Sequence, residues 1–595
     1  MQPLRMRLEV RRPLIVVATA LVVFFTMLGR PYLWDEDEPK NAECAREMYE
    51  AGNWSVPQFN YDLRTDKPIL LYWLMLAAYH VGGVSEFTAR FWSALLAVGT
   101  TLLTYHLGRR LYDSRVGLWS GLAMATCLMF AVSGRAATPD STLIFCITLT
   151  LYLFVRFGGV SASPEGFRLE RGGYVAMYAA MGLAVLAKGP VGVVLPGGIL
   201  GLFLLCRKQQ ECEGVIFDPV TLAARPWYRR AAANIAQAFM PRRFVAATFE
   251  LKPLMLLAVV GLVALPWYVT VGIKTNGDWI AGFLGKHNVA RFTGSMEGHG
   301  GPIVYYLFAI LVGFFPWSTL LPIGIYRLVI RLREGAANPH RPADTFLACW
   351  AGLYVGFFSL ASTKLPSYVL PAYPALAIIT GKLIVERLQA PSLVPRTWFR
   401  WALYTPAIVG VGICVGLPIV AMYLLPGDAW LGAIGVVLIA GSGVLVYFAR
   451  REQSQRIMAA YAAMSLVFTV GLVAGVGSRI SMHTTSSQIV SEARELRGEQ
   501  TTLVAFRHYE PTLVYYARGH VPSVGTADEL TAWLEKHPNS CIVTRDEHLL
   551  ALEAALDTKP QIAARHKRFL RRRGEIVLVT PPPVTVAAES SPVRR

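Results

Sequence analysis

The sequence predicts a mainly helical protein that crosses a membrane many times and ends in a small soluble α/β domain. Three observations carry that expectation. Of 595 residues, 54% are hydrophobic and only 16% charged, with a mean hydropathy of +0.41, whereas soluble domains carry about 25% charged residues. Apolar segments of spanning length, about 17–25 residues each, recur along the chain as far as Ser478. Beyond that point the character turns soluble, and short β-rich runs alternate with amphipathic helical patterns. The same composition excludes a disordered chain and a string of soluble domains.

The N-terminus is basic (Arg5, Arg7, Arg11, Arg12) and leads into the apolar stretch 14–28. At about 15 residues this run has the length of a signal peptide. No small-x-small cleavage site precedes Gly29-Arg30-Pro31, and many spans follow, so it reads as an uncleaved first span. Further spans are expected at 87–107, 116–133, 141–157, 174–187, 191–206, 254–271, 303–327, 345–362, 368–384, 401–425, 431–448 and 458–476, about thirteen in all. With the N-terminus inside, the inner loops carry Arg109, Arg110 and Arg115, then Arg168 and Arg171, then the basic stretches 207–252, 327–341, 382–400 and 450–456. Every one is rich in Arg and Lys, as the positive-inside rule requires. The odd count leaves the C-terminal segment outside.

That rule also accounts for the net charge of +18. Nucleic acid is not expected as a partner, because the basic segments lack interleaved aromatic residues and zinc-ligand spacing. Of the eight cysteines, Cys127, Cys146, Cys349 and Cys414 lie in apolar stretches, and Cys206 and Cys212 flank a basic loop. Only Cys44 and Cys541 fall in outer segments, and one possible pair is no disulfide framework.

The outer segments hold the polar chemistry. The first, 30–87, has a helical pattern over 41–51 stopped by Gly52-Asn53, then an apolar run 69–81 after Lys67-Pro68. That run is too short to span and is expected as a re-entrant or interfacial helix. A second outer segment, 274–302, contains HNVARFTGSMEGHGGP. In the C-terminal part, strands are expected at 502–506, 512–516, 541–544 and 575–579, with helices at 487–496, 527–536 and 547–556. The expected domains are therefore 1–478 in the membrane, 479–580 as a soluble unit on the outer face, and a Pro-rich, then basic, disordered tail 581–595.

Asp35, Glu36, Asp37, Glu38, Asp66, Lys67, Asp140, Lys188, Arg291, His299 and Lys364 all map to the outer face or an outer span end. Ionisable groups near hydrocarbon are costly and mark function, so a site for an amphiphilic substrate is expected there. Each residue also has a plainer reading. The run 35–38 is a solvated acidic loop on that view. Asp140 is a helix-start carboxylate favoured by the dipole and paired with Arg135. Lys67 and Lys364 are snorkelling anchors, and Tyr305, Tyr306 and Tyr368 belong to an aromatic belt. His287 and His299 lack metal-ligand spacing.

The stretch WDEDEPKNAECAREMYEAGNW…RTDKPILLYW resembles the first outer loop of membrane glycosyltransferases of the GT-C class. The nearest branch holds the lipid A aminoarabinose transferase and its relatives among protein mannosyltransferases. The resemblance continues through ATPD (137–140), LAKGP (186–190), RFTG…GHGGPIVYYL (291–307), GFFPW (313–317) and TKLPSYVLPAYPALA (363–377), in order over about two-thirds of the chain. It implies inverting transfer of a sugar from a polyprenyl-phosphate carrier to an acceptor at the outer face of the cytoplasmic membrane. By residue-to-residue match it makes Asp37 the catalytic carboxylate and Asp140 a second one. Lys67, Arg291, Tyr368 and Lys364 become ligands of the carrier phosphate. Glu38, Lys40, Tyr305, Tyr306 and His299 fall to the sugar or acceptor pocket, and Asp66 to a divalent metal, although no cofactor is required by the sequence itself. Lys40-Asn41 and Ile69 depart from the family pattern. The acceptor expected first is lipid A or another envelope glycolipid, with protein hydroxyls or envelope polysaccharide as alternatives. A secondary transporter is the alternative of another class, but such folds show paired halves, and no internal repeat is visible here.

Overall fold

The computed structural model describes residues 2–33, 36–158, 160, 170–211, 239–289, 300–556 and 559–581. Every segment expected to span is helical. In chain order the first helices are α1 (Gln2–Phe25), α2 (Asp37–Glu50), α3 (Leu70–Gly82), α4 (Glu86–Leu111), α5 (Ser114–Thr126), α6 (Leu128–Ser133), α7 (Asp140–Arg156), α8 (Arg171–Lys188) and α9 (Val191–Glu211). They are followed by α10 (Pro241–Glu250), α11 (Pro253–Lys274), α12 (Tyr305–Gly313), α13 (Leu321–Arg333), α14 (Arg341–Leu360), α15 (Tyr373–Gln389), α16 (Arg396–Leu424), α17 (Gly435–Arg450) and α18 (Ser454–Val470).

Among the described residues, six helical stretches are long and apolar enough to cross a membrane: Pro253–Lys274, Arg341–Leu360, Pro366–Gln389, Arg396–Leu424, Ala429–Arg450 and Ser454–Arg497. The chain is thus a multi-pass membrane protein. Helices α4, α5 and α7 are less apolar for a physical reason: their neighbours are other helices. Their buried faces carry Ala94, Ala97, Thr101, Thr104, Gly117, Ser120 and Thr148, small residues that let helices approach closely. A Cβ on Gly117 would lie 2.6 Å from the Tyr105 carbonyl oxygen. The hydroxyls bond back along their own helices, Thr101 to Ala97 at 2.9 Å and Thr148 to Ile144 at 2.7 Å.

Two expected spans are broken. The 116–133 segment divides into α5 and α6 at Cys127, and the 303–327 segment divides between α12 and α13. The breaks meet each other. Leu128 N–H donates to the Phe315 carbonyl at 3.0 Å, Trp317 Nε1 to Thr126 Oγ1 at 2.8 Å, and Thr469 Oγ1 to the Thr126 carbonyl at 2.7 Å. Irregular backbone at membrane depth is tolerated where neighbouring helices satisfy its polar groups in this way.

The C-terminal part adds helices α19 (Ser486–Arg497), α20 (Pro511–Ala517), α21 (Ala527–Lys536) and α22 (Leu549–Leu556). Its five strands are β3 (Leu503–Phe506), β4 (Ser523–Val524), β5 (Cys541–Arg545), β6 (Gln561–Lys567) and β7 (Glu575–Thr580); β1 (Gln58–Phe59) and β2 (Asp62–Leu63) form a separate hairpin in the first outer segment. The sheet order is β4-β3-β5-β7-β6, with β3 parallel to β4 and β5, and β7 antiparallel to β5 and β6. The segment 512–516, expected as a strand, is the helix α20 instead. Pro511 sets the first helical turn, and Leu513 and Val514 go into the sheet's core while Tyr515 goes into the core around α2 and α3. β4 and β6 were not anticipated, being respectively too short and too polar to show alternation.

Candidate active site

The first turn of α2 begins with Asp37 and Glu38, acidic residues that the helix dipole favours at that position. Glu38 is buried, and both its oxygens are occupied. Arg90 donates to it through Nε at 2.6 Å and Nη2 at 2.8 Å, and the Ala137 N–H donates at 2.9 Å. Arg90 in turn holds the carbonyls of Leu28, Pro31 and Tyr32. Asn41 Nδ2 adds a bond of 3.0 Å to the Ala137 carbonyl. The start of α2, the exit from α1 and the loop before α7 are thereby fixed to one another.

A second pinning operates on the loop that carries Lys67. The β1–β2 hairpin turns at Asn60 and Tyr61, both with positive φ, and the Glu47 carboxylate accepts their two N–H groups at 2.6 and 3.0 Å. Trp279 Nε1 donates to the Arg64 carbonyl at 2.8 Å. Lys67, nearly buried, points back to α2 with Nζ 3.7 Å from Asp37 Oδ2. Asp37 itself is half exposed, 51% by side chain. Burial opposes its ionised form, but Lys67, Arg64, Lys188 and Lys40 outweigh it and hold the carboxyl below the usual carboxylate range.

Asp140 opens α7 and forms an ion pair with Lys188, the last residue of α8. Gly189 ends α8 with φ +82°, and a Cβ there would lie 2.6 Å from the Phe283 ring. Only glycine lets the chain turn this closely after Lys188. Lys188 Nζ also lies 5.6 Å from the Tyr368 ring centre.

Lys67, Asp140, Lys188 and Tyr368 line one cleft together with Asp66 and Ser367. The rest of its lining is largely apolar, with Leu143, Ile144, Val191, Phe283, Tyr354, Phe357 and Phe358. A phosphate at the end of a long hydrocarbon chain suits that mixture: charge-assisted bonds hold the anion, and apolar walls receive the tail.

Several residues singled out in the sequence sit differently. Arg291 and His299 lie outside the described residues. Lys364 is turned away from a ligand role, since Nζ donates to the carbonyls of Ser359 at 2.8 Å, Ala361 at 3.0 Å and Phe358 at 3.4 Å, capping the end of α14. Tyr306 is fully buried against Tyr305 and Phe358, and Tyr305 is half-buried beside it. Lys40 pairs with exposed Glu36 at 3.2 Å, one helical turn away. Asp66 lines the cleft with Oδ2 3.7 Å from Arg64 Nε; among the described residues no three His, Cys, Asp or Glu side chains gather as metal ligands. Two cations gain importance from the structure. Lys188 was visible only as one of many outer-face charges. Arg64, in the RTDKP motif, is buried, and its Nε and Nη1 make no hydrogen bond among the described residues.

A family model described as dolichyl-phosphate-mannose-protein mannosyltransferase matches residues 66–215. An uncharacterised protein of Aquifex aeolicus (strain VF5) is 28% identical over 423 residues, 69% of this chain and 73% of that one. The undecaprenyl phosphate-alpha-4-amino-4-deoxy-L-arabinose arabinosyl transferase of Edwardsiella ictaluri is 30% identical over 375 residues, 62% of this chain and 59% of the relative. That of Enterobacter sp. (strain 638) is 28% identical over 362 residues, 60% and 57% respectively. The alignments thus span less than two-thirds of these transferases. Among solved structures, ArnT from Cupriavidus metallidurans bound to undecaprenyl phosphate superposes with a TM-score of 0.71 at 25% identity, covering 95% of this chain and 97% of that one.

The fold, the amphiphilic cleft and these likenesses define a polytopic membrane glycosyltransferase of the GT-C class. Within that class the chain resembles the aminoarabinose transferases and the protein mannosyltransferases.

Proposed function

We propose that this chain transfers a sugar from a polyprenyl-phosphate carrier to an acceptor at the outer face of the cytoplasmic membrane, with inversion at the anomeric carbon. The single observation that carries the reading is the cleft. It gathers Lys67, Lys188 and Tyr368 among apolar side chains, with the Asp37 carboxylate beside Lys67. Asp37 takes the proton of the acceptor hydroxyl or phosphate, and the freed acceptor oxygen attacks the anomeric carbon. The bond from that carbon to the carrier phosphate breaks. The polyprenyl phosphate leaves with the electron pair, and Lys67 and Lys188 stabilise its added charge; the resemblance assigns Arg291 the same role. Asp140 acts through Lys188, which it holds toward the cleft. Glu38 and Arg90 position Asp37 rather than touch substrate, and fully buried Tyr306 packs behind Tyr305, whereas Lys40, Tyr305 and His299 keep the pocket roles given by resemblance.

The acceptor in this reading is lipid A or a similar envelope glycolipid, supported by the aminoarabinose transferases among the relatives. A protein hydroxyl is the second reading, favoured by the mannosyltransferase family model. The proposed topology has about thirteen crossings, the N-terminus inside, and two units, 1–478 and 479–580, the second on the same face as the cleft. The cations already in the cleft supply the counter-charge, so the proposed transfer is metal-independent. Chelation with EDTA should leave the rate unchanged, and a loss restored by one divalent ion would give Asp66 the metal role.

The deciding assay uses the full chain in lipid nanodiscs with carrier-linked aminoarabinose, mannose and glucose, offering lipid A or a Ser/Thr peptide, with products read by mass spectrometry. Wild type should glycosylate one acceptor, and Asp37→Asn should be slower by about 10²–10⁴-fold with carrier affinity retained. Continued transfer by Asp37→Asn removes it as the base. A folded protein that binds no carrier at all defeats the reading.

A further inference from the structure

At the end of the bundle opposite the cleft, arginines outnumber their partners. Helix α15 begins beside Pro371, which lines the cleft, and ends at Gln389. The starts of α16 and α18 meet that far end: Arg387 stacks over Phe399 at 4.8 Å, and its Nη1 donates to Ser454 Oγ at 3.5 Å. Segments 387–400 and 450–456 hold six arginines, Arg387, Arg396, Arg400, Arg450, Arg451 and Arg456, against one carboxylate, Glu452. The nearby Glu386 is already bonded by Arg327 and Arg331.

The same end carries the marks of a bilayer surface. Trp398, Trp401 and Tyr404 on α16 are all exposed, and Trp398 meets exposed Tyr326 of α13 with ring centres 5.3 Å apart. Aromatic rings gathered at one height on spanning helices sit at headgroup level. Farther along α16, Ile408, Val411, Val415 and Ile419 are exposed as well, so this face of the helix lies against hydrocarbon.

A hollow of about 550 Å³ opens between α16 and α17 at that level. Arg400 and Tyr404 line it from α16 and Arg450 from α17, together with Leu403, Val446 and Ala449. The Ser442 hydroxyl donates to the Leu403 carbonyl, which ties the two helices together one turn before Val446. Arg387, Arg451 and Arg456 each lie over an aromatic ring, those of Phe399, Tyr447 and Phe448. Arg400 and Arg450 are exposed, and among the described residues neither pairs with a carboxylate. Two uncompensated arginine forks from adjacent spans, set among apolar side chains, complement a phosphate attached to acyl chains. Basic hollows between spanning helices take anionic headgroups for this reason.

We propose that Arg400 and Arg450 hold the phosphate of an anionic phospholipid from the leaflet opposite the cleft, with an acyl chain against Leu403, Val446 and Ala449. The bound lipid joins the start of α16 to the end of α17 and so adds to the stability of the bundle. It takes no part in sugar transfer.

The test uses the full chain in a neutral detergent and native mass spectrometry. The probes are phosphatidylglycerol, phosphatidylcholine with the same acyl chains, and inorganic phosphate. Wild type should prefer phosphatidylglycerol by about tenfold or more and gain unfolding temperature from it, and millimolar inorganic phosphate should fail to displace it. Each arginine at a lipid headgroup contributes about fivefold, so R400Q/R450Q should bind phosphatidylglycerol about 25-fold more weakly. Both side chains are exposed, so this variant should keep the wild-type unfolding temperature without lipid. R451Q/R456Q, which leaves the hollow intact, should bind nearly as wild type does. Equal binding of the two lipids by wild type overturns the proposal, and that comparison needs no variant. Displacement by inorganic phosphate overturns it too, because the site then needs no amphiphile. So does a loss in R451Q/R456Q as large as in R400Q/R450Q, since the basic end as a whole is then the cause. A dimer that R400Q/R450Q abolishes, with no lipid retained by wild type, also overturns it and makes the hollow a contact between two copies of the chain.

Discussion

At the scale of single residues, the contact between Lys67 and Asp37 ties donor binding to the base. Lys67 is nearest among the cations that hold the Asp37 carboxyl low, which keeps it ionised but a weak base in the free enzyme. A carrier phosphate that shares the Lys67 charge relieves this hold, so Asp37 becomes more basic once the donor is bound. Lys67→Gln should therefore move the acid limb of kcat/KM to higher pH and raise the KM for carrier, measured as pH profiles at varied donor concentration. The sign follows from the direction of the shift: a lowered carboxyl stays charged as pH falls until its own depressed pKa is reached, and removing the cation brings that point upward. An unshifted limb would show that another group sets it. Asp37, Asp140 and Lys67 were legible in the sequence because acids and cations stood at one end of apolar runs. The occupation of Lys364 was not, since its three carbonyl partners belong to the end of a helix whose exit direction no local pattern encodes.

Among elements, α2 is the one on which the site depends. It buries Glu38, Asn41, Glu43, Arg46 and Glu47, far more charge than a surface helix would place inward, and each of these finds a partner. Arg46 holds Glu43 through two bonds of 2.6 and 2.8 Å, and Arg90 holds Glu38. Replacing Glu38 by Gln leaves the buried Arg90 guanidinium uncompensated. A loss of about 3–5 kcal/mol is expected for a broken buried pair, to be read from thermal unfolding in detergent, together with slower transfer at unchanged carrier affinity. The helical pattern over 41–51 was legible, although the helix begins four residues earlier, at Asp37, where the acidic run reads as a loop. The C-terminal helix α20 shows the reverse limit. Thr512–Tyr516 has the residue types of a strand, but Pro511 and burial on all sides turn it into a helix. Its Tyr516 hydroxyl reaches the first outer segment, accepting from the Leu33 N–H at 2.9 Å and donating to Glu86 at 3.1 Å.

In the whole molecule, charge is arranged differently at the two ends of the bundle. At the cleft end Lys67 and Lys188 are paired with Asp37 and Asp140 yet still line the cleft. At the other end Arg331 and Arg327 are consumed: Arg331 donates to Asp344 through Nε and Nη2 and to Glu386 through Nη1 at 2.9 Å, while Arg327 adds a bond of 3.1 Å to Glu386. Tyr112 and Asn338 complete the coordination of Asp344. Asp344→Asn should destabilise the bundle by about 3–5 kcal/mol while leaving KM for the carrier unchanged, because this network lies on helices α13, α14 and α15 away from the cleft. Unaltered unfolding in detergent would show that Glu386 alone satisfies Arg331.

By itself the sequence determined the membrane class and the helical character of the expected spans, because hydropathy acts locally along the chain. It also determined the GT-C resemblance through ordered short motifs. Tertiary structure alone decided that Lys188 meets Asp140 and that Glu38 is spent on Arg90. These depend on which helix ends meet across hundreds of residues, and the free energy that selects those meetings comes from close packing of small side chains and from pairing buried charges. Neither has a signature at any fixed spacing along the chain.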